Sequence, residues 1–129
     1  MLSEIYIENL AVIQKATIPI SKNLNIFTGE TGAGKSILIN GINAILGQRI
    51  TKDIVRTGSE KAIIVALFKD IPKATKVKLD EFGINYSDDE LSISREISAD
   101  GGSTARINGR TSTVSILKAM AVPKCLMVI

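Results

Sequence analysis

The residues of this chain best suited to chemistry are Gly29-Glu30-Thr31-Gly32-Ala33-Gly34-Lys35-Ser36, which meet every fixed position of the pattern G-x-x-x-x-G-K-[ST]. Its glycines accept positive φ and carry no side chain, so successive backbone N–H groups can turn inward around an anion. Lys35 adds a mobile cation for the β- and γ-phosphate oxygens, and the Ser36 hydroxyl is placed to ligate Mg²⁺. The pattern therefore points to capture of a nucleotide polyphosphate with its magnesium ion.

Such a loop needs a strand leading in and a helix leading out. Leu24-Asn25-Ile26-Phe27-Thr28 reads as a short strand. From Ser36 to Leu46, the residues Leu38, Ile39, Ile42, Ile45 and Leu46 recur at helical spacing, and Gly47 is a natural stop. That helix adds unpaired first-turn N–H groups and the positive end of its dipole to the same anion site. The bland alternative is a glycine-rich turn ahead of a buried helix, with Lys35 merely solvated. It requires the Gly-Lys-Ser ending and both flanks to coincide by accident.

At 129 residues, 45% of them hydrophobic, the chain is one domain's worth and not a disordered polypeptide. No apolar run approaches the roughly 20 residues that span a bilayer, and the longest, Ala62 to Phe68, is strand-sized. Glu4, Glu8 and Lys15 among alternating apolar positions are wrong for a secretory signal, so the default expectation is a cytoplasmic protein with no membrane partner. With Cys125 as the single cysteine and no histidine, an internal disulfide, a zinc cluster and imidazole catalysis are excluded. Cys125 sits in an apolar tail and reads as inert core. The formal net charge of +3 suits nucleotide or DNA but is equally ordinary for a solvated surface.

Residues 2 to 8 and 12 to 20 alternate as an N-terminal hairpin, with Ile5 and Ile7 on one face of the first strand and Val12, Ala16, Ile18 and Ile20 on one face of the second. Asn9-Leu10-Ala11 would turn it. The loop from Gly47 to Gly58 carries Arg49, Lys52 and Arg56, which could meet phosphates or simply be solvated. Lys61 to Lys69 reads as a strand, apolar on both faces and so expected to be covered on both sides. A short helix from Ala74 to Phe82 ends at Gly83. Leu91–Ile97, Thr104–Ile107 and Arg110–Thr113 form an antiparallel meander with turns at Asp100-Gly101-Gly102 and Asn108-Gly109. Thr113 can cap a helix running to about Met120, and Pro123 to Ile129 begins another apolar strand.

A phosphate loop alone only binds, whereas hydrolysis also needs an acidic residue at the end of an apolar strand to organise Mg²⁺ and water. Asp70 follows such a run, but Lys69 intervenes and Ile71-Pro72 comes directly after. Asp53 falls in an irregular loop. Neither makes a convincing site.

The order of these signals resembles a known family. Leu10-Ala11-Val12-Ile13, the loop G-E-T-G-A-G-K-S, Leu46-Gly47-Gln48-Arg49, Val55-Arg56-Thr57-Gly58-Ser59-Glu60-Lys61-Ala62, Arg95-Glu96-Ile97-Ser98 and Arg106-Ile107-Asn108-Gly109-Arg110 are together similar to the N-terminal head segment of RecN, a bacterial DNA repair protein related to the SMC ATPases. The resemblance implies an α/β fold: a P-loop NTPase, the N-terminal lobe of an ABC-type ATPase head with an antiparallel β-meander, incomplete, over residues 1–129. It implies ATP as the nucleotide and Gly29 to Ser36 as its site, with Lys35 on phosphate and Ser36 on Mg²⁺. It also implies a role in double-strand break repair and recombination, and partnership with the C-terminal half of such a head, or a second head, through which DNA is engaged. The family's glutamine loop, signature motif, acidic strand and coiled coil are not found in these residues, so binding without turnover is expected.

Two other readings stay open. A small P-loop phosphotransferase would need a nucleoside pocket and an arginine-bearing lid; Arg106 and Arg110 flank a hairpin turn, without a lid-like segment. A DNA-contacting module with a vestigial phosphate loop would draw affinity from Arg49, Lys52, Arg56 and Lys61. Apolar edges at Lys124 to Ile129 also predict self-association in isolation.

Overall fold

The computed structural model describes residues 2–19, 32–48, 50 and 52–121. Six strands form one sheet in the order β2-β1-β3-β4-β5-β6, every neighbouring pair antiparallel. They are β1 (Leu2–Leu10), β2 (Ile13–Pro19), β3 (Lys61–Phe68), β4 (Leu91–Ser98), β5 (Ser103–Ile107) and β6 (Arg110–Ser112). The helices are α1 (Gly32–Ile45), α2 (Lys73–Glu81) and α3 (Val114–Ala121).

The expected hairpin, central strand, short helix, meander and capped helix all form. Asn108 at φ 50 and Gly109 at φ 83 make the two-residue turn from β5 to β6, with both residues in the left-handed conformation that such turns need. Thr113 caps α3, its Oγ1 accepting from the Ile116 N–H at 3.2 Å. The helix predicted from Ser36 begins earlier, at Gly32. The strands predicted at Leu24–Thr28 and Pro123–Ile129, and Cys125, lie outside the described residues.

One face of the sheet is the core. Ile5 and Ile7 of β1, Ile64 and Phe68 of β3, Leu91, Ile93 and Ile97 of β4, and Ile107 of β5 are all buried there. α1 lies on this face through Ile37, Ile42, Ala44 and Ile45, and its Gly41 sits over Ile64 and Ile7. α3 packs against the end of α1, and α2 packs on α3, tied by Lys78 Nζ to the Ala119 carbonyl at 2.9 Å.

Three sequence expectations need correction. The hairpin turns on Ala11-Val12, since Leu10 pairs with Ile13, and this leaves Val12 74% exposed while Ile13 packs against the core. Asn9 at φ 54 changes the side-chain phase just ahead of that turn, so that Leu10 turns inward. In α1, Ile39 is 45% exposed, because the helix's buried stripe runs through Ile37 instead. β3 is fully buried on one face only: Ile63, Val65 and Leu67 are half-buried, shielded by side chains of β1 and β4 with no described helix above them.

Candidate nucleotide site

The backbone of Gly32 to Ser36 forms the first turns of α1, so the Gly-Lys-Ser part of the loop opens a helix, as anion capture requires. Gly29, Glu30 and Thr31 lie outside the described residues, as do the side chains of Ala33, Lys35 and Ser36. With no acidic residue in its first turn, α1 presents the positive end of its dipole without a side-chain anion of its own.

The other end of this helix is held firmly. Gly47 at φ 89 closes it, its N–H reaching the Ala44 carbonyl at 3.1 Å while the Gln48 N–H reaches that of Asn43 at 3.0 Å. A Cβ at Gly47 would lie 2.8 Å from Lys118 Cγ, 2.9 Å from the Lys118 nitrogen and 3.0 Å from the Val114 carbonyl, so α3 abuts the cap with no room for a side chain. From the sheet below, Arg95 of β4 rises to the same place. It is 3% exposed, its Nη1 donates to the carbonyls of Ala44 at 2.8 Å and Gln48 at 3.3 Å, and its Nη2 donates to Ser103 Oγ at 2.8 Å.

Sequence reasoning did not single out Arg95 as a functional candidate. The signal was available in the alternation of β4, where Leu91, Ile93 and Ile97 mark the inward positions and Arg95 occupies the same phase. A cation on the core phase of a strand requires buried acceptors.

The basic candidates separate differently. Arg56 Nη1 donates to the Val12 carbonyl at 2.8 Å and its backbone N–H to Asn9 at 2.8 Å, so it stitches the loop to the hairpin tip. Lys61 pairs with Glu96 at 3.3 Å. Lys52 is exposed on a short 3-10 turn, and Arg49 lies outside the described residues. These internal partners weigh against a reading in which Arg56 and Lys61 are reserved for DNA. Asp53 borders a groove whose described lining includes Asn40, Asn43, Ala44 and Gln48, in the second half of α1 and its cap. Asp70 is exposed in a turn at φ 52. Among the described residues no three acidic, cysteine or histidine side chains cluster as a metal site, and no helix is long and apolar enough to cross a membrane.

Known proteins repeat both the sequence and the architecture. The profile of the AAA domain family matches residues 4–120. DNA repair protein RecN of Halalkalibacterium halodurans is 40% identical over 119 residues, covering 92% of this chain and 21% of that protein. RecN of Bacillus subtilis is 38% identical over 119 residues, again 92% of this chain and 21% of its own length. The chain thus spans about a fifth of the length of these curated relatives. Among solved structures, one from a study of ATP-driven dimerization and DNA-stimulated activation of SMC ATPases superposes with a TM-score of 0.73 over 98% of this chain and 80% of that one, at 23% identity, a likeness of fold. A matching profile across nearly all of the described fold places this P-loop NTPase segment, which matches about a fifth of the length of its RecN relatives: the chain belongs to the AAA domain family.

Proposed function

We propose that this chain is the ATP-binding N-terminal portion of a RecN-like cytoplasmic protein acting in recombinational repair of DNA double-strand breaks, and that it holds magnesium-ATP without hydrolysing it alone. The observation that carries the reading is the start of α1 on Gly32 to Ser36, in a helix seated on the sheet through Ile37, Ile42 and Ile45. In this reading the amides of Gly29 to Gly34 surround the phosphates, Lys35 neutralises the β/γ oxygens and Ser36 ligates the magnesium ion. The C-terminal half of such a head, or a second head, supplies the water-organising carboxylate and engages DNA; Asp53 and Asp70 are poorly placed for that work.

Calorimetric titration of the folded chain with magnesium-ATP tests this. We expect saturable binding that Lys35→Ala weakens by about 10- to 100-fold, the worth of a charged hydrogen-bonding group on phosphate, with no phosphate released. Folded wild-type protein that gives no heat at millimolar magnesium-ATP overturns the reading.

A further inference from the structure

We propose that Arg95 is a positioning residue for the nucleotide site: it holds the closed end of α1 and thereby sets where the open end, some way along the same helix, presents its amides to phosphate. The proposal rests on the nucleotide reading above and adds to it a residue whose described hydrogen bonds to α1 lie at the helix's other end.

Three observations carry it. The first is electrostatic. A guanidinium buried to 3% exposure is normally matched by a carboxylate, yet no described acidic side chain pairs with Arg95. Its acceptors are instead the carbonyls of Ala44 and Gln48, where the helix dipole is negative. Burial draws the Arg95 pKa below the usual arginine range, but the group keeps its charge, and the α1 terminus is its counter-charge.

The second is mechanical. Arg95 lies on β4 between Ile64 of β3 and Ala105 of β5, so its backbone belongs to the middle of the sheet. From that base its Nη1 reaches the Ala44 carbonyl in the last turn of α1 and the Gln48 carbonyl just past the Gly47 cap, and its Nη2 reaches, sideways, the Ser103 hydroxyl at the start of β5. One nitrogen of the fork, Nη1, takes both carbonyls while the other, Nη2, is anchored on Ser103, so the helix end is tied to the sheet at a fixed angle. A lysine, with one nitrogen and no fork, keeps the charge at the carbonyls but cannot hold Ser103 at the same time.

The third is the length of the lever. α1 has 14 residues, about 20 Å at the rise of an α-helix. A helix turns as a rod, so slack at Ala44 is displacement at Gly32. Misplacing a binding group by about 1 Å can cost two orders of magnitude where alignment matters.

The experiment uses the whole 129-residue chain. Magnesium-ATP is titrated into wild type, Arg95→Met, Arg95→Lys and Ser103→Ala, with affinity referred to the folded fraction. The amide resonances of Gly32 and Gly34 are followed in the free proteins. A positioning role predicts weakening of about tenfold or more for Arg95→Met, partial rescue by Arg95→Lys, a smaller loss for Ser103→Ala, and displaced Gly32 and Gly34 resonances in the same order. A merely structural role lowers stability alone; unchanged affinities and unmoved glycine amides across the folded variants overturn the proposal and leave the nucleotide site standing. Should Arg95→Met not fold, Arg95→Lys and Ser103→Ala decide, since both keep the buried cation. Wild type that binds no magnesium-ATP overturns the site reading and this inference together.

Discussion

Ile63 and Ile64 are successive residues of β3 with the same side chain. Ile64 is wholly buried beneath α1, with Ile7 and Gly41 around it, while Ile63 looks across the opposite face at Glu8 of β1 and Glu96 of β4. The sheet's two faces thus differ not in how apolar β3 is but in what lies on them. One is covered by helices and continuous with the core; the other is a row of half-buried aliphatics bordered by Tyr6, Glu8, Glu96 and Arg106. Burial here follows from the layer that the connections build, and hydrophobicity alone does not reveal which face that layer takes.

The strongest test is the pair of alanine substitutions. Ile64→Ala should cost about 2–5 kcal/mol, the transfer loss plus a cavity that a helix-covered site cannot close. Ile63→Ala should cost about 1 kcal/mol or less, because its methyls are already partly in water. Chemical denaturation with the midpoint and slope fitted separately reads both. Equal costs would mean that the open face is covered in solution, and a dependence on protein concentration would then show that copies of the chain cover it.

This contrast also shows what could be read beforehand. Signals carried by a few adjacent residues were legible: Gly47 as a helix stop, Asn108-Gly109 as a turn, and Thr113 as a cap. Each is a local conformational requirement that few residue types meet. Pairings that cross the chain were not. β1 joins β3 over an interval of about 50 residues containing the loop and α1, a contact no periodicity records. β3 misled because Ile63, Val65 and Leu67 are as apolar as their inward neighbours, so the period-2 pattern is silent there. In β4 the same rule was informative. Arg95 occupies the core phase that Leu91, Ile93 and Ile97 set. For the proposed nucleotide site, the motif supplies the residues of the loop, while what steadies the helix behind it belongs to tertiary structure.

A weaker perturbation addresses the polar border of the open face. Glu96 accepts Lys61 at 3.3 Å and Arg106 at 3.6 Å, and all of these side chains are substantially exposed. Glu96→Gln should therefore cost under about 1 kcal/mol, and the loss should shrink further as salt is raised. A salt-insensitive cost comparable to Ile64→Ala would place Glu96 in a desolvated setting and erase the distinction between the faces.

The smallest effect concerns Tyr6, across from Val65 on the same open face. Its hydroxyl donates to Glu8 at 2.7 Å, and this hydrogen bond first, with some burial and the carboxylate's charge behind it, raises the phenol pKa above its usual value. A raised folded-state pKa means that the fold favours the protonated phenol. The stabilising contribution is therefore complete below the ordinary tyrosine range and disappears as pH climbs through the raised value. Wild type should lose slightly more stability than Tyr6→Phe above about pH 10, and the two should run parallel at neutral pH. An ultraviolet titration in which Tyr6 ionises at the ordinary value would remove the Glu8 contact from solution.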